Sequence, residues 1–144
     1  MPIHSGSRIL PYSCEQLFDL ATDVESYPEY LPGWVDARVL EQSGNTLRVE
    51  QRLGLKVLPL PFVTTAVLDR PHKIRIHSSS GPFRFLQVEW CFEPADAGNC
   101  AVFLEFSFIL RNRFIERVTT ALFEQLSPEI INRFEKRAEL LYRN

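Results

Sequence analysis

Between Thr46 and Leu110, four stretches alternate apolar and polar side chains with a period of two, the pattern of a β-strand with one buried face. In "TLRVEQRL", Leu47, Val49, Gln51 and Leu53 share one face, and Arg48, Glu50 and Arg52 share the other. "HKIRIHS" turns Ile74 and Ile76 inward, and "FLQVEWCFEP" does so with Leu86, Val88, Trp90 and Phe92. "CAVFLEFSFIL" adds Val102, Leu104, Phe106 and Phe108. The linking sequences "QSGN", "DRPH" and "ADAGN" are turn formers, so neighbouring strands are expected to run antiparallel. The result is a sheet with one apolar and one charged face. Gln51 is the odd polar side chain on the apolar one.

Both flanks change period. A short strand over Ser7 to Leu10 precedes "PYSCEQLFDLATDV", where Ser13 suits an N-cap and Leu17, Phe18, Leu20, Ala21 and Val24 make one helical face. In "DVESYPEYLPGWV", Pro28 and Pro32 force a separate helical turn or tight corner carrying Tyr27, Tyr30, Leu31 and Trp34. At the other end Phe114, Ile115, Val118, Leu122, Leu126, Ile130, Phe134, Ala138 and Leu141 form one long apolar stripe. Ser127-Pro128-Glu129 predicts a kink or restart within it. A long helix laid on a curved antiparallel sheet, with two short helices after the first strand, is an α+β architecture. At 144 residues, one domain spanning 1–144 is expected.

A net charge of -2, with 24% charged residues, supplies no bulk attraction toward DNA or anionic lipid. No secretory leader or membrane-spanning run is read, so a cytoplasmic location is expected, with room for peripheral contact at the inner membrane. Cys14, Cys91 and Cys100 are too widely spaced for a metal knuckle. Cys91 and Cys100 alone flank a common turn, and their alternation sends them to opposite faces; free buried thiols are expected. His4, His72 and His77 are scattered, and Glu89 and Glu105 fall on the outer face, so no catalytic or metal-binding set is read and no cofactor is required.

Eleven phenylalanines and the inward aromatics admit two readings, a solid core or an apolar cavity walled by the long helix. In the second, Gln51 and Thr64 are the oriented polar groups. The expected lining is Tyr30, Trp34, Val49, Gln51, Phe62, Ile76, Phe83, Leu86, Val88, Trp90, Leu104, Phe106, Phe108, Phe114, Val118 and Leu122. The stretch "GLKVLPLPFVTT" sets Leu58, Leu60 and Phe62 around Pro59 and Pro61, which suggests an edge or loop. It reads either as a lid touching a membrane through Leu58–Phe62 or as a loop packed on the long helix. Strand parity from Phe62 to Leu68 stays open.

In order along the chain, "PYSCEQLFDLATDVESYPEYLPGW", "GPFRFLQVEWCFEP" and "CAVFLEFSF", followed by the long helix, resemble the START-like (SRPBCC, helix-grip) superfamily, in its coenzyme Q-binding and RatA-like branch. That resemblance implies about seven antiparallel strands wrapped around a long C-terminal helix, enclosing a cavity for ubiquinone or another polyprenyl or polyketide molecule. It also implies that the aromatic corner closes one end of the cavity. Two alternatives come with it: a RatA-like module that binds the large ribosomal subunit, and a polyketide cyclase or dehydrase-like enzyme. Family members often carry a tryptophan–cysteine pair after the corner proline, where this chain has Gly33-Trp34-Val35.

Overall fold

A computed structural model describes residues 3–54, 59–111 and 129–142, with only the backbone of residues 59 and 60. Seven strands, β1 (Ile3–Leu10), β2 (Trp34–Ser43), β3 (Thr46–Gly54), β4 (Pro59–Asp69), β5 (Lys73–Ser78), β6 (Phe83–Pro94) and β7 (Cys100–Leu110), form one sheet in the order β1-β7-β6-β5-β4-β3-β2. Every neighbouring pair is antiparallel. Between β1 and β2 lie α1 (Cys14–Thr22), a 3-10 turn (Val24–Ser26) and α2 (Tyr27–Tyr30). Residues 129–142 form the C-terminal helix, α3.

The alternating stretches face as their periodicity requires. Leu47, Val49, Gln51 and Leu53 are all buried, as are Ile74, Leu86, Trp90, Phe92, Val102, Leu104 and Phe106. On β4, Phe62, Thr64 and Ala66 point inward, which settles the parity of that strand. Helix α1 starts where Ser13 and Gln16 form a reciprocal capping box, and its buried face is Cys14, Leu17, Phe18, Leu20 and Ala21. From α3, Ile131, Phe134 and Ala138 enter the core, and Tyr142 packs on Tyr12. That spacing rotates Leu141 outward to 49% exposure, against the stripe expected for it. Phe114, Ile115, Val118, Leu122, Leu126 and the restart at Pro128 lie outside the described residues.

Strand β1 begins at Ile3, four residues ahead of the expected start. Its inward positions His4, Gly6 and Arg8 carry no apolar signature. Two of them face α3, where a Cβ on Gly6 would stand 3.5 Å from Ile131 and Arg8 bonds Asn132 and pairs with Glu135, while His4 stacks on Phe106. Cys14 and Cys100 are free and buried, as expected, and both belong to the larger core cluster. Burial first, and then Cys14, pushes the Cys100 thiol up to about 12. All three cysteines are free, with Cys91 half-buried.

Pro59 and Pro61 do not stop β4, which continues between β3 and β5. The backbone N–H and C=O of Val63 bond Ser80 Oγ and Ser78 Oγ, away from β3. By alternation the missing N–H groups of Pro61 and Pro59 face the same side. There β5 has already ended, since its pairing with β4 begins at Thr65. The prolines therefore occupy a local edge inside an interior strand.

The turn closing that edge depends on Gly81. Its φ is +62°, and an added Cβ would lie 2.2 Å from the Pro61 carbonyl oxygen. Gly44 has a similar φ of +58° with nothing within 4 Å. Gly44→Ala should therefore cost about 1 kcal/mol, the left-handed penalty alone. Gly81→Ala should cost at least about 3 kcal/mol, because displacement of the Pro61 backbone is added. Urea denaturation measures both, and equal losses would refute the proposed contact.

Candidate functional site: an apolar cavity with one polar relay

The buried core of the described residues divides into two clusters. The larger runs from Leu10 and α1 to Ile131, Phe134 and Ala138; the smaller holds Leu53, Phe62, Phe83 and Leu86. Trp34 and Val88 pack against both. Where the two separate there is a cavity of about 110 Å³, between the inner face of the sheet, the aromatic corner and Ile130 of α3.

Of the residues expected to line a cavity, Trp34, Val49, Gln51, Phe62, Ile76, Phe83, Leu86, Val88, Trp90, Leu104, Phe106 and Phe108 do line this one. Phe114, Val118 and Leu122 are outside the described residues. Tyr30 is not among the lining residues: it stands behind Tyr27, edge-on at 6.0 Å, with the Arg137 guanidinium 5.2 Å from its ring centre. Tyr27, Leu31 and Val24 take that side of the wall instead. Ala66 and Leu53 complete the inner faces of β4 and β3. The alternation of β3 exposes Leu53 to reading, whereas Ala66 needed the parity of β4. Phe62 is 4% exposed and packs edge-on against Phe83 at 5.1 Å, so it is not part of an exposed apolar tip.

Trp34 reaches the cavity through a bulge. It pairs with Leu53, while Asp36 pairs with Arg52, so Val35 is the extra residue and is 58% exposed. That insertion puts Trp34 and Ala37 on the same inward face despite their odd separation in sequence. The indole stacks edge-on against Tyr27 at 6.0 Å. Its Nε1 donates to Gln51 Oε1 at 2.8 Å, and Gln51 Nε2 donates to Thr64 Oγ1 at 2.9 Å. Indole N–H can only donate, which forces the carbonyl of Gln51 toward Trp34 and its amide nitrogen toward Thr64. Gln51 and Thr64 are 7% and 2% exposed, so among the described residues this relay is the polar feature of a mainly apolar lining.

The corner itself is held by buried polar contacts. The Tyr27 hydroxyl donates to the Ala21 carbonyl, and burial raises its pKa strongly. Burial likewise raises that of Tyr30, with Tyr27 adding to it and Arg137 opposing. Arg137 Nη2 reaches Glu29 at 3.3 Å, tying α3 to α2. Tyr30 Oη and Arg137 Nε are buried with no hydrogen-bond partner among the described residues. No group of His, Cys, Asp and Glu among those residues is placed to hold a metal ion.

Residues 10–135 match the family described as polyketide cyclase / dehydrase and lipid transport. The chain belongs to that family. Its fold is the START-like, SRPBCC one, with the curved seven-stranded sheet and C-terminal helix that its sequence pattern implied. It is 33% identical over 138 residues to the ribosome association toxin RatA of Vibrio cholerae, covering 96% of each chain. It is 24% identical over 143 residues to the mitochondrial coenzyme Q-binding protein COQ10 homolog B of Xenopus laevis, and spans 59% of that protein. Among solved structures, the Zhui aromatase/cyclase of a Streptomyces species shares the fold, with a TM-score of 0.82 at 16% identity over 96% of this chain and 93% of that one. No helix among the described residues is long and apolar enough to cross a membrane.

The Tyr30 hydroxyl, which has no partner among the described residues, gives a direct check of this corner. Removing a buried hydroxyl that lacks a partner relieves its desolvation, so Tyr30→Phe should leave stability unchanged or raise it by up to about 1 kcal/mol. A loss of more than about 1 kcal/mol in thermal or urea unfolding would mean that the hydroxyl is hydrogen-bonded.

Proposed function

We propose that this protein binds an apolar, ring-bearing small molecule, such as a ubiquinone-like or other prenyl lipid, in the cavity between sheet and C-terminal helix. It acts as a binding or carrier protein. The observation that carries this reading is the division of the core around an apolar cavity with a single polar relay in its wall. Well-packed interiors leave few voids larger than a water molecule. An apolar cavity of about 150 Å³ takes up benzene, so about 110 Å³ suits a headgroup ring or a short stretch of prenyl tail, with the remainder extending beyond it. Binding would draw on burial of apolar surface at about 25 cal/mol per Å².

The described lining contains no side chain that is charged at neutral pH, and the Tyr27 hydroxyl is engaged with the Ala21 carbonyl. This favours binding over the cyclase or dehydrase alternative. The mitochondrial relative named for coenzyme Q binding supports a quinone as the ligand class.

Native mass spectrometry of the purified protein, followed by solvent extraction, tests this reading. The expected result is a stoichiometric prenyl lipid, or its uptake from quinone-loaded vesicles. Ala66→Leu adds three carbons to the cavity wall and should lower occupancy at least about tenfold while leaving the fold intact, since the added volume enters empty space. Failure of the wild type to take up any prenyl lipid would overturn the proposal.

A second reading, ribosome association, is favoured by the greater identity to RatA, over nearly all of both chains. Co-sedimentation with large ribosomal subunits at low salt, lost as salt rises, is its expected signature. If Ala66→Leu empties the cavity yet still sediments with subunits, the two properties are separate.

A further inference from the structure

The hydrogen-bond relay in the cavity wall has a direction, and the direction selects the ligand. Trp34 Nε1–H can only donate, so Gln51 Oε1 must accept from it. The Gln51 amide nitrogen then faces Thr64, and Thr64 Oγ1 is the acceptor of that second bond. A hydroxyl that accepts still has its own hydrogen to place. The Thr64 hydroxyl makes no other hydrogen bond among the described residues, and Thr64 is 2% exposed to solvent and lines the cavity. Its remaining hydrogen, with the second one on Gln51 Nε2, is the uncommitted side-chain donor capacity of the described cavity wall. A buried donor without a partner is costly, whereas an oxygen using one of its two lone pairs is tolerated more readily.

We propose that Thr64 is the ligand's hydrogen-bond donor, and that the site therefore selects ring compounds bearing an acceptor oxygen, of the carbonyl or quinone type, over hydrocarbons and over donor-only rings. This rests on the binding reading above and specifies which headgroup chemistry the cavity takes. Trp34 and Gln51 act through Thr64 as positioning residues: they hold its lone pair occupied so that its hydrogen points elsewhere. Thr64 holds its place on β4 opposite Val49, with Gln51 diagonally across on β3, so the donor is fixed by the ladder register.

Three small probes separate the outcomes: ethylbenzene, with no polar group; acetophenone, with a carbonyl acceptor; and indole, with a donor only. Affinities are measured by heteronuclear NMR titration of the wild type, Thr64→Val and Thr64→Ser. The carbonyl stretch of isotope-labelled acetophenone is read in the bound state. Expected are binding of ethylbenzene by all three proteins, and a bound carbonyl stretch lowered from its alkane value in the wild type and in Thr64→Ser. In Thr64→Val the stretch should return toward the alkane value and acetophenone affinity should fall about fivefold, with ethylbenzene and indole changed less than about twofold. Comparing each probe across variants removes its own cost of leaving water. An alkane-like stretch in the wild type, or one unmoved by Thr64→Val, overturns the donor assignment. So does a loss of indole affinity matching that of acetophenone, which would make Thr64 an acceptor toward the ligand. Ethylbenzene failing to bind the wild type would instead overturn the cavity reading itself.

Discussion

A seven-stranded sheet with one apolar face must have that face covered, and the rest of this structure follows from how the covering is divided. From one side α1 and α3 supply Leu17, Phe18, Ile131, Phe134 and Ala138, which pack against Phe92, Val102 and Trp90. On the other side Leu53, Phe62, Phe83 and Leu86 pack on one another, with Phe83 edge-on to Phe62 and Phe108. The sheet is continuous beneath both groups, and the cavity lies where the two described clusters separate. Among the described residues, the site is thus a property of the packing between layers.

Within that cavity, polarity is confined and satisfied in sequence. Burial of the Trp34 indole requires an acceptor, Gln51 provides it, and its own amide requires Thr64. Three elements are tied by two hydrogen bonds: the bulged start of β2, the middle of β3 and the middle of β4. An apolar pocket gains affinity from area and little discrimination from it, so a relay of this kind is where discrimination can reside. The corner above it is stiffened independently by the Tyr27 hydroxyl on Ala21 and by Arg137 spanning Tyr30 and Glu29.

Some features were hidden from sequence reasoning for identifiable reasons. The inward face of β1 reads His4, Gly6 and Arg8, and each is accounted for by a partner remote in sequence: His4 stacks on Phe106, Gly6 lies against Ile131, and Arg8 engages Asn132 and Glu135. Pro59 and Pro61 argued against an interior strand, yet an interior strand has a free edge wherever its neighbour is shorter, and β5 stops opposite Thr65. The contact of Cys14 with Cys100 joins residues far apart in the chain, and only the pairing of Leu10 with Cys100 in the β1–β7 ladder brings them together. Tyr30 carries the same chemistry as Tyr27, but the short α2 turns one ring to the cavity and the other to Arg137.

What the chain alone determined is everything that follows from periodicity and local chemistry: the inward sets of β3, β5, β6 and β7, the capped α1, the proline-made corner, and Gln51 as the polar residue inside. These are legible because a period of two or a cap is written in adjacent residues. What only the tertiary structure decided is how those faces meet: the gap between two core clusters, the bulge that swings Trp34 inward, and the partners that orient Gln51 and Thr64. Such features depend on distances between elements remote in sequence. The volume left between packed layers is a small difference between large filled spaces, and no local pattern encodes it.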